Sequence, residues 1–384
     1  MHLKGFGCQD KIRIGDREFQ IHTGCDTNKN KALAEVFEKG NFIFDVVRPY
    51  RVRERSNEPV DEKYLKKKVS DLHQQILDEI FLLFQISQKI KPLNQYLPHF
   101  RLGKVFLGKN FYKEAVENLE RAIELKSDQV QPYKLLGIAY LKLSDHNNAL
   151  RVFEMALEKN ATDPELLNAL SVLYTQTGNF NTAKDILQKA MAEHKTYLEL
   201  NLNFGIVLFL STIAENPHEE HIIVPPRVIR ALKDIRILDR YSDDTWQSDF
   251  NNLLEIIENG KKSEISDALF DIQLKMITEG NLYSNVDLFF LKFMYGGKEM
   301  SRREIDIFEG KTLAEESQHG NLADYWNDMA ILHLVQCRDN FLKAIDDFEH
   351  STKLNSKFED AQNTLEMIKR GKKGFLILLR AILK

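Results

Sequence analysis

The chain is poor in cysteine, proline, glycine and tryptophan, and it carries almost no net charge. Its three cysteines, Cys8, Cys25 and Cys337, lie far apart along 384 residues. So sparse and odd a set is no disulfide framework, and a reducing compartment is expected. Nine prolines and 18 glycines argue against long disordered linkers. A net charge of −4 excludes a nucleic-acid binder that works by bulk charge. Long apolar runs are missing too. The longest, Phe204–Leu210 and Phe375–Leu379, fall far short of the roughly 20 residues of a membrane helix. The opening MHLKGFGCQDKIRI has no apolar stretch of signal-peptide length, so a cytoplasmic protein is expected. What remains is ordinary for a globular or solenoid chain: 43% hydrophobic and 29% charged residues, with 24 phenylalanines.

An internal period organises the middle of the chain. Windows starting at Tyr96, Val130 and Pro164 align at a spacing of 34 residues. Leu102, Leu136 and Leu170 form one column, and Gly103, Gly137 and Ser171 the next. Phe106, Tyr140 and Tyr174 follow three residues on. Later columns are Ala115, Ala149, Ala183, then Leu119, Phe153, Leu187, then Ala122, Ala156, Ala190. Each unit reads as a helical hairpin. The small residue beside Leu lets helix A approach helix B, and the aromatic fills the wider part of the seam. The two Ala columns stand seven residues apart and so share a face. Gly108-Lys-Asn, Ser144-Asp-His-Asn and Thr177-Gly-Asn supply the turns.

These columns resemble the tetratricopeptide repeat family over Tyr96–Tyr197. The departures are His99, Tyr133 and Leu167, where the family often has Trp, and the lack of its late proline. The resemblance implies a mainly α fold: a right-handed α-α superhelix. Residues 93–210 are assigned to it as three clear units and a further helix A at Asn201–Leu208, with no matching helix B. A more distant unit is expected within 321–384, from Asp324, Trp326, Met329, Ala330, His333, Ala344 and Phe348, with about two extra residues in its turn. A polar-faced capping helix over Lys357–Arg370 would follow it.

Elsewhere the pattern changes. In residues 1–58, Lys11–Ile14 and Arg17–Thr23 flank Gly15-Asp16, and Ala32–Glu38 and Phe42–Val47 flank Lys39-Gly40-Asn41. Their period of two predicts a small antiparallel β module of four strands. Its Phe19–Thr23 and Ala34–Gly40 stretches are loosely similar to a small β module of bacterial multidomain proteins, which implies no chemistry. Within 59–92, a helix over Asp61–Lys91 places Leu65, Val69, Leu72, Ile76, Ile80 and Phe84 on one face. Residues 211–320 read as a diverged helical insert: extended at Ile222–Pro226, helical at Thr245–Glu258, Glu264–Thr278 and Val286–Tyr295, and again near Lys311–Ser317.

Candidate chemistry is thin. His218-Glu-Glu-His221 has helical ligand spacing but follows Asn216-Pro217 in a polar loop. His22-Thr-Gly-Cys25, with Cys8 upstream, lacks the paired cysteines of a structural zinc site. Gly5-Phe-Gly7 and Gly296-Gly297-Lys298 match no phosphate loop. Arg48, Arg51, Arg53 and Arg55 are diluted by Glu54, Glu58 and Asp61. No metal, cofactor or catalytic residue is therefore assigned. The basic and apolar end, Lys369–Lys384, fits a cap on the last helices, with weak contact to a membrane surface as its other reading.

The expected function is that of a non-enzymatic adaptor or scaffold holding a partner's peptide or helix, with no nucleic acid bound. Helix A lines the concave side of such a solenoid. Its inward positions off the packing columns name the groove: Phe100, Lys104, Lys134, Ile138, Asn168, Val172 and Gln176. The groove does not resemble the basic clamp by which some relatives hold chaperone tails, since Phe100, Lys104, Leu135, Glu165 and Ala169 stand at the clamp positions and only Lys104 offers the right charge. The insert could also fill the groove itself, because an apolar face is often simply buried. Two other readings are a regulator sensing a small ligand or phosphate through the β module, and a repeat-bearing enzyme.

Overall fold

The computed structural model describes residues 7–27, 30–50, 62–218, 223–238, 241, 244–279, 285–296, 302–314, 323–355 and 359–382. The chain forms two compact units: residues 1–77 with 93–283, and residues 78–92 with 284–384.

In the first unit, strands β1 (Gly7–Ile14), β2 (Arg17–Asp26), β3 (Lys31–Glu38) and β4 (Asn41–Pro49) form an antiparallel meander in that order. Alternation buries Phe19, Ile21, Thr23 and Cys25 along β2 and Ala32, Ala34 and Val36 along β3. The register shifts at Val36/Phe37. Helix α1 (Glu62–Ile90) buries all six residues expected on its inner face. Arg17 holds the sheet to the first repeat. It donates to Glu38 at 2.6 and 2.7 Å and pairs with Glu114, while its guanidinium lies 4.8 Å from the ring of Phe19. Phe19, Phe44 and Phe106 each meet Phe111 edge-on.

The repeats follow as helix pairs: α2 (Tyr96–Gly108) with α3 (Tyr112–Leu125), α4 (Val130–Lys142) with α5 (His146–Leu157), and α6 (Pro164–Gln176) with α7 (Phe180–Glu193). The expected columns are the seams. Leu119, Phe153 and Leu187 are fully buried, and so are Ala115, Ala149 and Ala183. A Cβ on Gly103 would stand 2.7 Å from Leu119 Cγ, and one on Gly137 would stand 2.3 Å from Phe153 Cε1. Every turn repeats one geometry. Asn110, Ser144 and Gly178, spaced by 34, take φ of +60°, +59° and +75°. The next residue's N–H returns to the carbonyl of Phe106, Tyr140 or Tyr174 at 2.8–2.9 Å. Asp163 caps α6 by accepting from the N–H groups of Glu165 and Leu166, with Pro164 in the first turn.

Helix α8 (Leu198–Glu215) is long and apolar enough to cross a membrane by composition. Its side chains are instead divided between two protein cores, as in a core helix. Where no second helix was expected, α9 (Pro226–Ile235) packs on α8: a Cβ on Gly205 would stand 2.9 Å from Val228 Cγ2. Helices α10 (Asp244–Asn259) and α11 (Lys262–Glu279) complete the unit. They share one core with α8 and α9, centred on Tyr241, Trp246, Phe250, Leu269 and Ile272.

The second unit contains α12 (Asn285–Tyr295), α13 (Arg302–Ala314), α14 (Ala323–Leu354) and α15 (Glu359–Ile382), besides residues 78–90 of α1. Phe289 and Phe308 stack at 4.1 Å within a core that includes Ile305, Tyr325, Met329 and Leu332. The hairpin expected after Asp324 is not formed, because α14 is one helix of 32 residues. Residues 333–344 contain neither Gly nor Pro, so nothing in that segment forces a turn. That helix runs on to Leu354, and α15, from Glu359, returns along it. Phe341 meets Phe375 at 4.2 Å and Lys369 pairs with Glu349 at 2.7 Å.

Candidate protein-binding face

Helices α2, α4, α6 and α8 line the inner side of the repeat array, and α11 packs against all four. That contact decides the state of the expected groove. Lys134, Ile138, Asn168 and Val172 are each at most 2% exposed, whereas the sequence reading has them open. Phe100, Lys104 and Gln176 are half-buried. The central helix α4 is buried on every side from Pro132 to Leu141, as a solenoid helix becomes only when something covers its inner face.

The covered face is polar as well as apolar. Lys134 of α4 pairs with Glu165 of α6. Asn203 of α8 donates its amide to Asn168 Oδ1 at 2.6 Å. Tyr241 donates to Glu199 at 2.9 Å. The first two pairs join α4 to α6 and α6 to α8 across successive inner helices. At the outer end, Phe100 stacks on Tyr96 at 5.4 Å, and Lys104 Nζ lies 5.7 Å from the centre of the Phe100 ring.

Helix α11 fills its seat imperfectly. Ile265, Leu269, Ile272 and Met276 belong to the core shared with α8, α9 and α10. Gln273 is buried completely yet lies outside that core, and both its amide nitrogen and its carbonyl oxygen lack a hydrogen-bond partner among the described residues. An unpaired buried amide costs about 1–3 kcal/mol. A groove built for α11 alone would be expected to satisfy that amide or replace it with an apolar side chain.

Other sites are less endowed. His73 of α1 bridges Thr23 Oγ1 at 2.9 Å through Nδ1 and Asp10 Oδ2 at 2.9 Å through Nε2. The order Thr–His–Asp resembles a nucleophile relay, but Thr23 is 1% exposed, so the chain of groups ties α1 to the sheet and presents no nucleophile. The reading from sequence missed it. Its signal was a histidine among Val69, Leu72 and Ile76 on the buried face of α1. His22 packs on the ring of Phe37, while Cys25 lies on the covered face of β2, so the sheet separates the suggested zinc ligands. Burial pushes the Cys25 thiol up, aided by Asp26, which leaves it a poor nucleophile. Arg48 is exposed, while Arg51, Arg53, Arg55 and most of His218–His221 lie outside the described residues. Among the described residues no group of three or more His, Cys, Asp or Glu is placed to hold a metal ion. A cleft of about 380 Å³ beside α8 and α9 is lined by Phe204, Arg227, Arg230 and Asp234, among others.

Family comparison places repeats over the same part of the chain. A TPR repeat model matches residues 103–144 and a tetratricopeptide repeat model matches residues 140–202. No curated protein matches the chain. Among solved structures, that of MamA is 16% identical, with a TM-score of 0.34, over 47% of this chain and 97% of its own. The structure of YrrB, described as a TPR protein with an unusual peptide-binding site, is 16% identical, with a TM-score of 0.30, over 50% of this chain and 91% of its own. Residues 103–202 of the chain carry tetratricopeptide repeats, and an antiparallel β module precedes them.

Proposed function

We propose that this protein is a non-enzymatic adaptor that holds a helix of a partner protein along the inner face of its repeats, in the place taken here by its own α11. The repeats support a role in protein interaction in general. The position of α11 across α2, α4, α6 and α8 carries the specific reading. It supports an amphipathic helix as the kind of object the face accepts, with an apolar stripe for Ile138 and Val172 and a polar group for the Lys134–Glu165 and Asn168–Asn203 pairs. The unpaired Gln273 amide costs the internal occupant about 1–3 kcal/mol, which favours exchange with a partner of better complementarity.

The test is capture of partners by the full chain from its native cells, repeated with Gln273→Leu and with an excess of a peptide spanning residues 262–279. Leucine at this position removes the unpaired amide and should hold α11 more firmly in the groove. Both the substitution and the peptide should then reduce capture of the same partner. Capture unaffected by either would place the binding site elsewhere on the repeats.

A further inference from the structure

The end of α15 carries a feature that the adaptor reading does not use. After Glu366 the chain has six basic residues, Lys369, Arg370, Lys372, Lys373, Arg380 and Lys384, and no acidic one. This stands out in a chain of net charge −4. The same stretch is strongly apolar, and α14 covers only one side of it. Ala361 is buried, and Leu365, Ile368 and Phe375 are half-buried at the same helical periodicity, with Phe375 on Phe341. Met367 is 74% exposed, and Ile377 and Leu378 are each 57% exposed. Met367, Gly371, Gly374 and Leu378 follow at steps of four, three and four, so they share one exposed stripe that runs beside the row of Phe375. A Cβ added at Gly371 or Gly374 would meet nothing within 4 Å, which marks that stripe as open.

We propose that this stripe docks on a membrane surface rich in anionic lipid. Arg370 and Lys373 flank the stripe on one side, about two turns and one turn before Ile377. That order suits a helix whose apolar side sinks about 5–10 Å into the headgroup boundary while its cations meet lipid phosphates. A second copy of the chain fits less well, since two such faces brought together would oppose like charges. An acidic peptide would satisfy the cations, but the exposed Ile377 and Leu378 form no walled groove to hold it.

The experiment is sedimentation of the full chain with vesicles of phosphatidylcholine alone and of phosphatidylcholine containing phosphatidylserine. Binding to the anionic vesicles should be at least about tenfold tighter. It should largely vanish as ionic strength rises from about 0.1 M to about 1 M, which shortens the screening length from about 10 Å to about 3 Å. Arg370→Glu with Lys373→Glu should remove the preference for anionic vesicles. Ile377→Ser with Leu378→Ser should remove binding without changing helicity. If the serine variant unfolds, the wild-type salt series still decides. Equal binding to both vesicles, or none, would overturn the proposal. So would binding of polyglutamate but not vesicles, or self-association that the serine variant abolishes in the absence of vesicle binding.

Discussion

Substituting Gly137 by Ala tests the repeat seam at its tightest point. In an exposed helix the change should stabilise by about 1 kcal/mol, because Ala is the better helix former. Here the new methyl would stand 2.3, 2.6 and 2.7 Å from three atoms of the Phe153 ring, and that ring is fully buried. Overpacking of a closed core costs about 1–3 kcal/mol, so the net effect should be a loss of about 1 kcal/mol. The third repeat supplies the remedy. There Ser171, which has a Cβ, stands where Gly137 stands, and Leu187 stands where Phe153 stands, with both buried. Gly137→Ala combined with Phe153→Leu recreates that pairing. Phe153→Leu alone should cost about 1–2 kcal/mol through the space it leaves. The double variant should then be more stable than the sum of the singles by about 1–2 kcal/mol. Urea denaturation followed by helical circular dichroism gives all four corners of the cycle. Additive effects, or a Gly137→Ala protein more stable than the parent, would show that the small-residue column does not set the distance between α4 and α5.

The same logic makes Gly310→Ala, whose methyl would enter open space, stabilising by about 0.5–1 kcal/mol in a denaturant melt. Ala149→Leu, at a fully buried position, should cost about 1–3 kcal/mol, and an unchanged melting temperature would refute the register. Glu38 is held below the ordinary carboxylate value chiefly by the hydrogen bonds from Arg17. Its contribution should be complete above the unfolded value of about 4.3 and fade as pH falls through the folded one. Arg17→Gln should flatten that part of an acid-unfolding curve. Burial, with the hydrogen bond to Glu120, pushes the Tyr140 phenol up to about 12. The unfolded chain releases this proton first, so stability should fall between pH about 10 and about 12, and less so in Tyr140→Phe.

The repeats were legible because their contacts are local and recur. Leu, Gly, aromatic and Ala columns 34 residues apart each report one seam, and the turn residues Asn110, Ser144 and Gly178 mark the break in each hairpin. The strands of the β module were legible from alternation around Gly15 and Gly40. The state of the groove was not. The composition of α11 shows an amphipathic helix, but nothing local says that it returns across α2, α4 and α6, more than 80 residues earlier in the case of α6. Filling of the groove by the insert was readable only as an alternative. Periodicity misled at α14, where Ala344 and Phe348 imitate a second helix of a repeat although the helix never breaks. The second helix on α8 was missed because α9 begins late, after a loop and at Pro225-Pro226. The bond from Thr23 to His73 joins residues 50 apart, a distance over which a pattern of types carries no pairing information.

Amide hydrogen exchange on the full chain, alone and with a captured partner, tests the central claim most directly. If the partner's helix takes the place of α11, amides of residues 265–278 should lose protection when the partner binds. Those of α4 and α6 should stay protected beneath it. Partner binding that leaves α11 as protected as before would contradict exchange in the groove and move the interaction to another surface of the repeats.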